Sequence, residues 1–306
     1  MSQKTILVTA ANGTVGSSLA VLLLDQGFNV HAFVRNADST TARDLEKRGA
    51  KIFKGDFSNI SSLQKASEGI WGVFINAYPV NGTLDELTHN KNVIKVAKEA
   101  GAKFGVYMSV IMAGRKDEIP GMSPQHRSYN YWEAKSGSEK ALQEAGLDYW
   151  TILRPGFFVS NFFGPLASYS WPTIQKEHLL TSPFELSYTQ PFVDTEDGSR
   201  FAAAAFANPD IFNGEAIELA SEQISLKDFG ASITDIVGIP ITVEHISREE
   251  ALSRGLPDDI ARWCDWAEAM DYHIDYERLD QFPVKRHAIA DYIKRNKEHI
   301  AEFLSQ

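Results

Sequence analysis

Two groups of residues in this 306-residue chain have types and spacing suited to chemistry. The first is Tyr131-Trp132-Glu133-Ala134-Lys135. On a helix, positions i and i+4 share a face, so the phenol of Tyr131 and the ammonium of Lys135 are expected to be neighbours. A free tyrosine ionises near pH ~10 and is a poor proton carrier at neutrality. A nearby ammonium favours the phenolate and is expected to lower the Tyr131 pKa, which makes the phenol a usable proton donor or acceptor for a carbonyl or alcohol oxygen. Ser109 stands where it can hydrogen-bond the same oxygen. The competing reading is a packed tyrosine beside a solvated lysine.

The second group is the small-residue run Ala10-Ala11-Asn12-Gly13-Thr14-Val15-Gly16. It follows the apolar, β-branched segment 4–9 and precedes the helical spacing of Leu19, Leu22 and Leu23. Strand, bare turn, helix places the free N–H groups of a helix N-terminus beside an open backbone, an arrangement that binds pyrophosphate. Ala10 stands at the first glycine position of that pattern, and alanine accepts a tight turn as long as φ stays negative. The next strand, 29–34, ends at Arg35. An acidic residue there reads a ribose 2′-hydroxyl, whereas an arginine suits a 2′-phosphate, so NADP(H) is the expected cofactor, with Asn36 supporting the phosphate. The alternative for Arg35 is a solvated surface residue.

These residues need elements to position them, and the pattern supplies an alternation. Strands are expected at 51–55, 72–77, 104–109 and 149–153, with helices at 40–48, 61–68, 84–100 and 129–145 between them and a loop over 110–128. Such alternation predicts an α/β protein with a Rossmann-type doubly wound parallel sheet. Ligands of such sheets sit at the carboxyl ends of the strands. There, Asp56 can accept from an adenine amino group while Phe57 lies along the ring, and Asn76-Ala77-Tyr78-Pro79 can let a nicotinamide approach the backbone. Alternation weakens after 155. Helices are expected at 202–206, 226–237, 248–254, 258–270 and 285–304, and strands at 215–219 and 241–246. We therefore expect a dinucleotide-binding domain over 1–155, to which segments around 188–212 return, and a smaller interleaved α/β substrate lobe over 156–306. Phe157, Phe158, Phe162, Phe163, Tyr169 and Trp171 can wall an apolar pocket or simply pack.

Composition narrows the class. The formal net charge of −10 opposes non-specific binding to nucleic acid and to anionic membranes, so neither is an expected partner. No apolar run approaches the ~18–20 residues that span a bilayer, and the start of the chain reads directly as a strand rather than a leader. The single cysteine, Cys264, allows no internal disulfide and fits a reducing compartment; a cytoplasmic protein is the expectation. The eight histidines show no H-E-x-x-H or paired Cys/His spacing, so no metal is expected. The absence of G-x-S-x-G leaves esterase chemistry without support.

The runs Val8–Gly16, Val34-Arg35-Asn36, Gly55-Asp56-Phe57, Gly146–Phe158, Asn161 and Pro191-Phe192-Val193-Asp194 together resemble the atypical, NmrA-like type of short-chain dehydrogenase/reductase over nearly the whole chain. The resemblance implies a cofactor held by Thr9, Ala11, Asn12, Gly13, Thr14, Val15, Gly16, Arg35, Asn36, Asp56, Phe57, Asn76, Ala77, Lys135, Pro155 and Phe157. It implies catalysis by Tyr131, Lys135 and Ser109, and a substrate pocket that includes Tyr78, Phe158, Asn161, Phe162 and Trp171. The family includes NADP(H)-dependent reductases of quinones, dyes and metabolites, together with silent proteins that sense the NADP state and bind transcription factors. Many members lack the tyrosine and keep only the lysine, or have histidine in its place, so Tyr131 with Lys135 is closer to the active reductase pattern than to the silent sensors. The expectation is an NADPH-dependent reductase of a small apolar or aromatic carbonyl, quinone or related unsaturated metabolite, as a monomer or homodimer. The alternatives are a non-enzymatic sensor with a protein partner and a biosynthetic enzyme doing non-redox isomerisation or cyclisation.

Overall fold

The computed structural model describes residues 3–78, 82–164, 166–270 and 272–306. Its strands are β1 (Thr5–Val8), β2 (Asn29–Val34), β3 (Lys51–Lys54), β4 (Gly72–Ile75), β5 (Phe104–Met108), β6 (Tyr149–Pro155), β7 (Phe157–Phe158), β8 (Leu179–Ser182), β9 (Thr189–Val193), β10 (Glu215–Leu219), β11 (Glu222–Ser225) and β12 (Thr242–His245). The helices α1 (Thr14–Asp25), α2 (Thr40–Lys47), α3 (Ile60–Ala66), α4 (Asp85–Glu99) and α5 (Tyr129–Gln143) alternate with the first six strands.

The chain divides into two compact units. The first comprises residues 1–155, 198–218 and 278–284. Its seven-stranded sheet has the order β10-β6-β5-β4-β1-β2-β3, with the pairs among β1 to β6 parallel: the Rossmann-type sheet that the alternation predicts. Strands β4 and β5 are buried along their whole length, as a sheet covered on both faces requires. The order reverses between β1 and β4, the switch point at which such sheets open a crevice. Thr9 fixes the two strand ends there. Its hydroxyl donates to the Phe74 carbonyl at 2.8 Å and accepts from the Asn76 N–H at 2.9 Å. Leu7, Phe33, Val73, Ile75, Tyr107 and Ile152 lie at the centre of the core cluster.

The second unit comprises residues 156–197, 219–277 and 285–306. Its three-stranded sheet runs β11-β9-β7, and β8 pairs with β12 in a two-stranded ribbon. Its core is aromatic: Phe162 stacks on Trp171 with centroids 3.9 Å apart and touches Phe192 and Phe229. Strand β9 was absent from the sequence pattern because Pro191 sits inside it, and proline argues against a strand interior. Residues 189–197 consequently lie with this unit, through pairing with β7 and β11, while 198–218 lie with the first. The long helix expected at 285–304 is instead Ile289–Arg295 and Lys297–Leu304, divided at Asn296. Residues ahead of it are drawn into other bonds: the His287 N–H donates to Asp197 at 2.9 Å and the Ile289 N–H to Glu222 at 3.0 Å.

The turn after β1 corrects one expectation. Ala10 has φ +48°, in the left-handed region that a side chain disfavours, so its φ does not stay negative. Gly16 explains why the turn is held so tightly, since a Cβ there would stand 2.4 Å from the Ala10 carbonyl oxygen. Left-handed alanine costs roughly 1–2 kcal/mol, more than the ~0.5–1 kcal/mol by which glycine's extra unfolded-state freedom would offset the relief. Ala10→Gly is therefore expected to stabilise the protein by about 0.5–1 kcal/mol in urea denaturation, and a loss of stability would contradict the strain argument.

Candidate active site

Tyr131 and Lys135 lie in α5, one turn apart, and the structure brings them together: the Lys135 ammonium stands 5.8 Å from the centroid of the Tyr131 ring. Lys135 is buried, and its Nζ lies 2.7 Å from Oε1 of Glu86, a buried carboxylate in the first turn of α4. Tyr107, from β5 and fully buried, points its hydroxyl at the same oxygen from 3.4 Å. Helices α4 and α5 are further joined by Asn90, whose amide donates to Ser138 at 3.1 Å while its Oδ1 accepts from the Ala77 N–H at 3.2 Å. Four titratable side chains from three elements thus meet here, Glu86, Tyr107 and Lys135 buried and Tyr131 half-buried.

Their charges reverse a simple expectation. Burial pushes the Tyr131 phenol up, Lys135 pulls it down, Glu86 pushes it up again, and the balance lies above the ordinary tyrosine value. The lysine acts in the expected direction but is outweighed. Burial alone would discharge Lys135; its acidic neighbours Tyr107, Glu86 and Tyr131, and the hydrogen bond to Glu86, more than offset this and keep the ammonium charged. Burial likewise lifts the Tyr107 phenol well above its usual range.

Ser109 is committed elsewhere. Its hydroxyl donates to Glu139 at 2.6 Å. Glu139 in turn takes Arg154 in a two-point grip, with Nε 2.9 Å and Nη2 2.6 Å from its oxygens. Arg154 also reaches Glu218 at 3.3 Å. The guanidinium lies so close under Gly114 that a Cβ there would stand 2.2 Å from Nη2. This chain, buried at Ser109 and Glu139 and half-buried at Arg154 and Glu218, links β5, β6, α5 and β10 beside the start of the 110–128 loop, where the Ile111 N–H donates to the Pro155 carbonyl at 3.0 Å.

The candidate cofactor residues of the first unit gather at the expected strand ends. Gly13 is the N-cap of α1 and has no side-chain cap bond; Asn12, Gly13 and Thr14 are exposed, while Ala11 and Val15 are buried. An uncapped helix start with no bulky side chain fits a pyrophosphate. Arg35 and Asn36 are exposed just beyond β2, and Arg35 helps to hold the Asp56 carboxyl below its usual range, behind the larger effect of the hydrogen bonds from Ser58. Phe57 packs its ring against Phe33 and His89, with centroids 5.6 and 5.8 Å away. Asn76 is half-buried, Ala77 buried and Tyr78 exposed; Pro79 lies outside the described residues.

In the second unit the outcome is different. Phe162 is fully buried in the aromatic core, so its ring serves packing rather than a pocket wall. Phe157 and Trp171 line a small cavity of about 30 Å³ together with Gln190, Trp263 and Cys264, while Phe158 and Asn161 are half-buried. Asp194, Glu196 and His287 bring three ligand-type atoms together, but Arg295 ion-pairs both carboxylates and supplies the positive charge a metal would bring.

Glu86, Tyr107, Glu139 and Arg154 were not singled out as site residues by the sequence pattern. The available signals were a tyrosine in an otherwise apolar strand and an acid at the start of α4.

Fold and site together define a Rossmann-type α/β protein with a buried tyrosine–lysine–glutamate cluster between two of its helices. The NmrA-like family model matches residues 2–287, and the chain belongs to that family. It is similar to an NAD(P)H azoreductase of Xenophilus azovorans, 26% identical over 260 residues that make up 84% of this chain and 83% of the relative. Among solved structures, the NADPH-dependent quinone oxidoreductase QOR2 of Escherichia coli, complexed with NADPH, superposes with TM-score 0.73 at 22% identity over 95% of this chain and 99% of its own. NmrA, a negative transcriptional regulator in complex with NAD, superposes with TM-score 0.76 at 18% identity over 100% and 99%. No helix among the described residues is long and apolar enough to cross a membrane.

The Ser109–Glu139–Arg154 chain gives a stability prediction. Arg154→Met leaves Glu139 buried without its cation and is expected to destabilise the protein by about 3–5 kcal/mol in chemical denaturation, with Glu139→Leu in the same chain restoring most of the loss. A single-substitution loss under about 1 kcal/mol would show that the pair is not structural.

Proposed function

We propose that the protein is an NADPH-dependent reductase of small aromatic or apolar acceptors: quinones, azo compounds or related carbonyl and unsaturated compounds. The observation that carries the reading is the half-buried Tyr131 phenol, held protonated on α5 beside Lys135. An acid of this kind serves a reaction that must protonate an oxygen or nitrogen as electrons arrive. The azoreductase and quinone oxidoreductase relatives support the same reaction class.

When bound, the dinucleotide supplies a hydride. The chain's own residues do the rest. The amides at Gly13 and the start of α1 hold the pyrophosphate, and Arg35 grips the 2′-phosphate. Asp56 and Phe57 receive the adenine. Tyr131 donates a proton to the reduced acceptor, and Lys135 holds a ribose hydroxyl. Ser109, with its proton given to Glu139, can only accept from a donor on the substrate.

That last feature favours a second reading. A serine unable to donate toward a carbonyl suits a dinucleotide-sensing protein that does no chemistry, and the NmrA regulator has the same fold. Mixing the protein with NADPH and a panel of quinones and azo dyes separates the two. The reductase reading expects loss of reduced cofactor and a fall of about 10²–10⁴-fold in kcat/KM for Tyr131→Phe. Tight NADPH binding with no turnover would establish the sensor. Under either reading Arg35→Ala is expected to weaken NADPH binding by about 10–100-fold and to leave NADH nearly unchanged in calorimetry, the effect of losing charge-assisted bonds to one phosphate.

A further inference from the structure

The Lys135 ammonium does not face Tyr131 as a bare cation. Its nearest partner is Glu86 Oε1, 2.7 Å away, and the side chains of both residues are less than a tenth exposed. The second oxygen of Glu86 is buried and accepts no hydrogen bond from any described residue, and the cation paired with its first oxygen is Lys135. Opposite charges this close, sealed from water, present a neighbour with a dipole rather than a full positive charge. The titratable groups acting on Lys135 are Tyr107 from β5, Glu86 from α4 and Tyr131 from its own helix α5, while Glu139 acts on Tyr107. Of these, only Glu86 makes an ion pair with Lys135.

We propose that Glu86 is a positioning residue for the Tyr131–Lys135 pair: by offsetting the ammonium's charge it leaves Tyr131 as the neutral phenol, ready to give its proton to the acceptor. The inference rests on the reductase reading and adds the residue that sets the charge state of its proton donor. In the reductive step a hydride brings two electrons to the acceptor, the O–H bond of Tyr131 breaks, and its proton joins the acceptor's oxygen or nitrogen. The resulting phenolate takes a proton back from solvent. The ammonium of Lys135 stays charged throughout, and Glu86 offsets its pull on the phenol rather than removing it.

The test is a phenolate titration followed by ultraviolet difference absorbance, read as the protein minus its Tyr131→Phe counterpart. This isolates one phenol among ten tyrosines and needs neither cofactor nor turnover. In the otherwise unchanged protein the Tyr131 signal should appear only above pH ~10, the ordinary tyrosine value. In Glu86→Gln it should move down by about one to two pH units, the effect of an unmasked charge at this distance in a partly buried setting. The shift should persist when Tyr107→Phe is added, and vanish when Lys135→Met is added. That last double variant leaves no unpaired charge, so it folds even where Glu86→Gln alone does not. The alkaline limb of kcat/KM for NADPH-driven reduction should move with the titration, whereas a merely structural glutamate would lower the amplitude and leave the limb in place.

Tyr131 ionising below pH ~10 in the unchanged protein, or at the same pH with and without Glu86, overturns the role given to Glu86. Absence of turnover with every acceptor overturns the reductase reading instead, and the titration still decides whether Glu86 masks Lys135.

Discussion

The candidate site depends on one interaction, the buried ion pair between Lys135 and Glu86. Removing two charges from water is expensive, and their attraction offsets the loss only when the geometry is close and the remaining atoms are partnered. Here the separation is 2.7 Å, but one carboxylate oxygen accepts no bond from the described residues, so the pair is not optimised for stability. A hydrophobic pair of similar size would serve α4–α5 packing as well. What a hydrophobic pair would not do is set the electrostatics around Tyr131. The pair therefore makes sense as a property of the site, placed where Asn90 and Ser138 already fix the two helices in register.

A second buried pair, Arg154 with Glu139, has a different logic. Its guanidinium and carboxylate meet at two points, with Ser109 and Glu218 taking further valences, so its polar atoms are well used. Glu139 lies one helical turn beyond Lys135 and two beyond Tyr131 on the same face of α5. One stripe of that helix thus carries a phenol, a cation and an anion in sequence. The two charges are answered from different elements: Lys135 by Glu86 of α4 and Glu139 by Arg154 of β6. The separation keeps Glu139 from doing to Lys135 what Glu86 does, because its charge is already spent on an arginine.

How much of this could be read from residues alone follows from the range of the forces involved. Strand β2 and the helix Leu226–Val237 fall where the pattern puts them, because their ends are encoded locally. Ser225 caps the Asp228 N–H, and Gly238 closes the helix at φ +87°. The placing of Tyr131 beside Lys135 was legible for the same reason, as both sit on one helix. The Glu86 pairing joins residues 49 positions apart and leaves no periodic trace. Strand β9 was hidden by Pro191, and the division at Asn296 follows a segment held by Asp197 and Glu222, acceptors from distant parts of the chain. The sign of the Tyr131 shift was misjudged because the i, i+4 rule names the lysine and says nothing of its counter-ion.

The glycine turn shows the same limit from the other side. The motif correctly marks where β1 hands over to α1, yet Ala10 occupies a backbone region suited to the glycine it replaces. A strained residue persists only where its surroundings over-determine it. Here they do: the Gly13 N–H bonds back to the Ala10 carbonyl at 2.9 Å, the Ala11 N–H reaches Phe33 at 3.2 Å, and Gly16 brings the helix within contact of the same carbonyl. Three short constraints hold the turn in one shape, and no side chain caps the start of α1. The strain at Ala10 is therefore the local consequence of holding the start of α1 in one shape; under the proposed function, a phosphate would meet a helix start already ordered rather than a loop that must first be ordered.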